Sequence, residues 1–136
     1  DNMEEALAHV EEILALCNIS DIKDTKAGKL NVPQKKRLEI ARAMATDPDL
    51  LLLDETMAGL TATERREAVA LIQSINARGV AILTIEHNMD VVMSVSRRVV
   101  VLVSGRLLTI GTPDEVTSNP EVISAYLGGG VKADGE

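Results

Sequence analysis

Leu50-Leu51-Leu52-Leu53 and Val80-Ala81-Ile82-Leu83-Thr84-Ile85 are short, almost wholly apolar runs, each bounded by turn-forming residues. A strand with one wet face alternates apolar and polar side chains. A continuous apolar run instead predicts a strand buried on both faces of a parallel sheet. Parallel strands need a crossover between them, and the intervening segment reads as its helix. Thr61 and Glu64 form a capping-box pattern, Val69, Leu71, Ile72 and Ile75 recur at helical spacing, and Gly79 stops the helix. Val99–Val103 predicts a third strand, and Ser104-Gly105 a tight turn that returns Arg106–Ile110 as its hairpin partner. The order strand, helix, strand, helix, strand predicts an α/β fold, a parallel sheet covered by helices on both faces.

The flanks follow the same rules. Met3, Leu7, Val10, Leu14 and Cys17 recur at helical spacing behind an Asn2–Glu5 capping pattern, and residues 18–30 are polar and loop-like. A helix is expected from Pro33 to Thr46, with Leu38, Ala41 and Ala45 on one face, ending at Asp47-Pro48. Asn88–Ser96 forms a short helix, and Thr112-Pro113-Asp114-Glu115 and Asn119-Pro120-Glu121 are capped helix starts. Beyond Tyr126-Leu127 a loose tail is expected.

Composition narrows the classes of function. The 136 residues are 46 % hydrophobic and 26 % charged, a globular balance, with no Trp or Phe and one Tyr. The core must therefore be aliphatic, and stacking of bases on rings has almost nothing to work with. A net charge of −7 argues against a nucleic-acid partner, so Lys35-Lys36-Arg37 and Arg97-Arg98 read as solvated charges. No apolar run approaches the ~20 residues of a membrane span, and no basic start followed by an apolar stretch marks a signal peptide. The single cysteine, Cys17, lies on an apolar helical stripe and reads as a buried thiol of a cytosolic chain.

The most informative residues are Asp54-Glu55, directly after the four leucines. Ligands of open parallel sheets sit at the carboxyl ends of the strands. A carboxylate pair there can hold a hard cation and orient or deprotonate a water; it is equally a solvated turn. Glu86-His87 follows the second run and emerges at the same edge. Alone, a histidine after a strand is a loop residue, but two polar sites at neighbouring strand ends strengthen each other. His9 reads as surface.

Leu30-Asn31-Val32-Pro33-Gln34, then Lys35-Lys36-Arg37-Leu38-Glu39-Ile40-Ala41-Arg42-Ala43, Asp47-Pro48 and the leucines with Asp54-Glu55, resembles the signature-to-Walker-B stretch of ABC transporter ATPases. Ala58-Gly59-Leu60-Thr61 falls at the family's D-loop and Glu86-His87-Asn88 at its switch histidine. The Arg37–Ala43 run, Ala58–Leu60 and the Gly111–Gly128 ending are most similar to ATP-binding subunits of branched-chain amino acid importers.

The resemblance implies the carboxyl-terminal half of a P-loop NTPase fold, a mostly parallel sheet with flanking helices that lacks the phosphate-loop strand. Residues 1–29 would be the remnant of a helical subdomain, 30–127 the half-core and 128–136 a flexible tail. ATP and Mg²⁺ are the implied cofactors. Asp54 would hold Mg²⁺ through water, Glu55 would activate the attacking water, and His87 would contact the γ-phosphate. Asn31, Val32, Pro33 and Gln34 would close over nucleotide bound on a partner, by backbone N–H groups and the helix dipole. Implied partners are a second ATPase half or subunit, in a homo- or hetero-oligomer, and membrane permease subunits. The implied location is cytoplasmic, at the inner face of the membrane.

This sequence departs from the family at three places. It contains no Gly-x-x-x-x-Gly-Lys-Ser/Thr, the phosphate cradle, and the family's adenine-stacking aromatic and glutamine loop also belong to a segment preceding the one matched. Its signature has Val32 and Pro33 where the family has glycine; proline brings no N–H and valine a β-branched side chain, which makes a poor clamp. Thr56 stands where the family has proline. In the parent fold the phosphate-loop strand lies between the strands matched by 80–85 and 99–103. Without it their apolar edges are expected to associate, by dimerisation, element swapping or direct pairing.

Three functions are weighed from the sequence, and the first two stand. The chain is an ATPase piece that contributes Asp54, Glu55 and His87 while the missing half comes from elsewhere, and is inactive alone. Alternatively it is a non-catalytic ABC-derived interaction module that binds no nucleotide. A receiver domain with Asp54 as phosphoacceptor would need an acidic pair after an earlier strand and a lysine ending a later one, and the sequence has neither.

Overall fold

The computed structural model describes residues 2–128, in two compact units, the first running to His87 and the second beginning at Asn88. The expected tail lies, from residue 129 on, outside the described residues.

The first unit holds α1 (Asn2–Leu16), α2 (Val32–Met44), β1 (Leu50–Asp54), α3 (Ala62–Ala77) and β2 (Ala81–Ile85). The polar stretch between α1 and α2 is wound into two single 3₁₀ turns, Ser20–Ile22 and Ala27–Lys29. α3 starts on the expected capping box: Glu64 N–H donates to Thr61 Oγ1 at 3.2 Å, and Thr61 N–H to Glu64 Oε2 at 2.8 Å. It ends before Gly79, whose φ of +94° only glycine adopts without strain. α2 ends at Met44 with Ala45 as its cap, and Asp47 at φ +55° turns the chain toward β1. β1 and β2 pair in parallel, Leu50 opposite Ala81, Leu52 opposite Leu83 and Asp54 opposite Ile85.

The two faces of this pair differ. Leu51 and Leu53 are buried, with Ile40, Ala41, Met44, Ile72 and Ile75 of α2 and α3. Leu50, Leu52, Leu83 and Ile85, on the other face, keep 52, 64, 59 and 60 % of their surface in water. The expectation of helices on both faces is thus corrected: the described residues of this unit leave one face of the pair open. The stripe on α1 is corrected likewise. Ile13 and Cys17 are buried at its carboxyl end, whereas Met3, Leu7 and Val10 are exposed. Arg37 is not merely solvated, because it pairs with Glu67 at 2.7 Å and ties α2 to α3. Arg78–Glu12 at 3.0 Å ties α3 to α1.

The second unit holds α4 (Met89–Val95), β3 (Val99–Val103), β4 (Arg106–Gly111), α5 (Pro113–Thr117) and α6 (Pro120–Val122), the last running into a π-helical turn, Ile123–Leu127. β3 does not join the parallel pair; its hydrogen-bonded partner is β4, antiparallel, with a bulge at Val101/Leu102. Ser104 and Gly105 both have positive φ, +50° and +76°, as a two-residue hairpin turn demands. Asn88, Thr112 and Asn119 accept the N–H groups of Val91, Glu115 and Glu121 as caps. The core of this unit is Val101, Val116 and Val122, flanked by Val99 and Leu108. Tyr126 donates its hydroxyl to the Leu102 carbonyl, so the one aromatic ring is tied to the hairpin.

Candidate functional site

Asp54 ends β1 on the open face, opposite Ile85. The next residue, Glu55, has φ +49°, a left-handed conformation uncommon for any residue but glycine. Its N–H still donates to the Ile85 carbonyl at 2.9 Å, so pairing extends one residue past the strand before the chain swings into a turn. Alternation along β2 puts Leu83, Ile85 and His87 on one side, and Thr84 and Glu86 on the other. The left-handed turn and the alternation together bring Glu55 Oε1 within 3.3 Å of His87 Nδ1, with both side chains more than half exposed.

Asp54 is exposed and holds no ion pair among the described residues. Neither do the described residues contain a cluster of three metal-ligating side chains. Any cation at Asp54 would take its other ligands from water or from a substrate. One carboxylate plus phosphate oxygens and waters is the usual set for Mg²⁺.

The turn after Glu55 is held by Ala58 N–H to the Glu55 carbonyl (3.4 Å), Leu60 N–H to the Met57 carbonyl (3.3 Å) and Arg65 Nη1 to the Leu60 carbonyl (2.8 Å). Gly59 has φ +78°, and a Cβ there would stand 3.9 Å from Val32 Cγ1. The start of α2 is thereby laid against the 56–60 turn, and Pro33, Lys36, Met57 and Leu60 line a narrow crevice between them.

Asn31 caps α2: Gln34 N–H donates to Asn31 Oδ1 and Asn31 N–H to Gln34 Oε1, each at 3.0 Å. Lys35 N–H goes to the Asn31 carbonyl, and Pro33 has no N–H. Of the backbone N–H groups from 31 to 35, that of Val32 is the one left to point at an anion.

Glu86 is the residue sequence reasoning passed over. Burial pushes its carboxyl above the ordinary carboxylate range, against the pull of the Met57 backbone N–H, His87 and Lys36, while Glu55 pushes it up further. The alternation that exposes His87 was the available signal that Glu86 faces inward. Cys17 is buried as expected, and burial pushes its thiol up to about 11.

Residues 1–58 match the ABC transporter family, and residues 106–132 match the branched-chain amino acid ATP-binding cassette transporter family. The high-affinity branched-chain amino acid transport ATP-binding protein BraF of Pseudomonas aeruginosa is 42 % identical over 91 % of this chain and 49 % of its own length. The lipopolysaccharide export system ATP-binding protein LptB of Acidithiobacillus ferridurans is 36 % identical over 87 % of this chain and 49 % of its own. Among solved structures, the ADP conformation of MJ1267, an ATP-binding cassette of an ABC transporter, aligns with a TM-score of 0.83 at 30 % identity. That alignment covers 91 % of this chain and 50 % of the other. CbiO1 of Clostridium perfringens, part of the ABC transporter complex cbiONQ, aligns at 0.80 and 32 % identity over 90 % and 49 %. The chain spans about half the length of the curated relatives it matches.

Proposed function

We propose, on the premise that the chain belongs to the ABC transporter family of ATP-binding proteins, that it supplies the water-activating side of an ATP-hydrolysing site in an importer of branched-chain amino acids. The observation that carries this is the placement of Glu55 Oε1 3.3 Å from His87 Nδ1, beside Asp54, at the carboxyl end of a parallel pair.

Phosphoryl transfer is mostly positioning and electrostatics. Glu55 accepts a proton from, or orients, the attacking water, and its exposure leaves that water room. His87 holds Glu55 on one side and offers its other ring nitrogen to a γ-phosphate oxygen. Asp54 fits Mg²⁺ as a single oxygen ligand, direct or through water; when bound, the ion neutralises phosphate charge. The grip on the nucleotide comes from elsewhere, because this sequence has no phosphate loop and Tyr126 is engaged with Leu102. Residues 31–34 contribute as the clamp of the family, weakened by Pro33 and by the bonds that occupy Asn31 and Gln34. The partners are then a phosphate-loop-bearing half or subunit, which also covers the open face of β1–β2, and membrane permease subunits on the cytoplasmic side. Consistent with a peripheral subunit, no described helix is long and apolar enough to cross a membrane.

The test is phosphate release by the transporter assembly. Glu55→Gln should lower turnover by about 10²–10⁴-fold, as loss of a general base does, with ATP binding retained. Undiminished turnover overturns the assignment. The 136-residue chain titrated alone with labelled Mg-ATP should show no micromolar binding. A second reading, a non-catalytic module, is favoured by one observation: the α2 start spends the Asn31 and Gln34 N–H groups on its own cap, and Pro33 has none. An assembly that binds no nucleotide through this chain, and whose transport ignores Glu55→Gln, decides for it.

A further inference from the structure

One residue near the head of α3 does not serve the helix it belongs to. Thr61 is the cap, so Leu60 precedes the cap and Arg65 is the fourth helical residue. Those two places commonly hold apolar side chains that pack on each other and fix the angle at which the chain enters. Here the second is a half-buried arginine, and a cation so early in a helix works against its dipole. Among the described residues Arg65 has no ion pair. Its Nη1 instead donates to the Leu60 carbonyl at 2.8 Å. Side chains on a helix lean toward its amino end, which carries the guanidinium back past the cap.

Leu60 closes the turn that Glu55 opens, and the bonds within that turn are long. Ala58 N–H meets the Glu55 carbonyl at 3.4 Å and Leu60 N–H the Met57 carbonyl at 3.3 Å. The short bonds are at the two ends: Glu55 N–H to the Ile85 carbonyl at 2.9 Å, and Arg65 to the Leu60 carbonyl. Between them lie the left-handed Gly59 and its approach to Val32 at the start of α2. Left-handed residues such as Glu55 persist only where the surrounding structure holds them, and here the hold is at the ends.

We propose that Arg65 is a positioning residue: by gripping the Leu60 carbonyl it fixes the far end of the 56–60 turn, seats Gly59 against Val32, and so sets the segment that carries Glu55 against residues 31–34. That Glu55 and residues 31–34 act on a nucleotide rests on the proposed function; the grip is a property of the fold and is read without nucleotide.

Amide hydrogen exchange and methyl NMR of the 136-residue chain test it. Arg65→Met keeps the apolar stem and removes the donor. It should speed exchange of the Leu60 amide by about tenfold, the loss of one charge-assisted hydrogen bond, with the later α3 amides and the β1–β2 ladder unchanged. The Val32 methyl resonances should move with it. Arg65→Lys should restore both, because the contact is a single N–H on one oxygen and needs no guanidinium fork. Arg65→Gln, polar and helix-forming but too short to reach, should behave as Arg65→Met, so the grip remains testable if the methionine variant does not fold. An unchanged Leu60 amide, uniform acceleration through α3, failure of lysine to rescue, or a freed Leu60 with unmoved Val32 methyls each overturns the proposal. In the transporter assembly Arg65→Met should lower turnover at saturating ATP and Arg65→Lys recover it. Full turnover of Arg65→Met in an assembly that Glu55→Gln disables also overturns it. An assembly indifferent to Glu55→Gln defeats the ATPase reading alone and leaves the amide effects in place.

Discussion

The open face of β1–β2 makes a quantitative prediction about association. Leu52 and Leu83 stand directly opposite each other on that face, 64 and 59 % exposed. That leaves each with roughly 100 Å² of apolar surface in water, so covering it contributes about 2.5 kcal/mol per residue. The double substitution Leu52→Glu with Leu83→Lys replaces the apolar pair by opposite charges in cross-strand register. Within the isolated fold the change should stay within about 1 kcal/mol, because both side chains are already wet and opposite charges across a ladder attract. Association through this face should lose about 3–5 kcal/mol, a hundred- to several-thousandfold weaker dissociation constant. Sedimentation equilibrium over a concentration series reads the second effect, and denaturant unfolding reads the first. The parent chain should associate at micromolar concentration and the variant should not. A parent that stays monomeric throughout that range, or a variant that associates as tightly as the parent, refutes the view that this face is made to be covered.

Three further outcomes are expected. Thr61→Ala removes the acceptor for Glu64 N–H at the head of α3, and should lower the unfolding free energy by about 1 kcal/mol, seen as a reduced denaturant midpoint. Cys17, buried and with its thiol pushed up to about 11, should resist a thiol reagent at pH 8 in the native protein and react at once in denaturant; fast native labelling contradicts its burial. The Glu86 carboxyl is raised by burial, so its folded pKa lies above the unfolded one. Its contribution to stability is then greatest below the ordinary carboxylate range and falls as pH rises through the raised value. Glu86→Gln should flatten the pH dependence of the unfolding midpoint across that window and raise the midpoint at neutral pH; an unaltered profile contradicts the burial.

Much of this molecule is local, and what is local was legible. Thr61 with Glu64, Ser104 with Gly105, and the Asn and Thr caps before Pro113 and Pro120 act over a few residues, and each appears where its chemistry predicts. The apolar runs specified β1 and β2 because backbone pairing and burial both favour aliphatic side chains there. The order Asp54-Glu55 after one run and His87 after the other put these candidate residues at one sheet edge, since parallel strands share their carboxyl ends. Which residues of these runs are covered is a different kind of fact. Leu50 and Leu51 have the same side chain, yet one is exposed and the other buried, because burial depends on what packs against each face. The partner of β3 is likewise settled by which edge is within reach; a two-residue turn brings β4 there first. The distance from Glu55 to His87, the cap that engages Asn31 and the inward carboxyl of Glu86 needed the tertiary structure for the same reason. Each arises from one backbone angle or one side of a strand, and sequence spacing carries no value for either until the chain is folded.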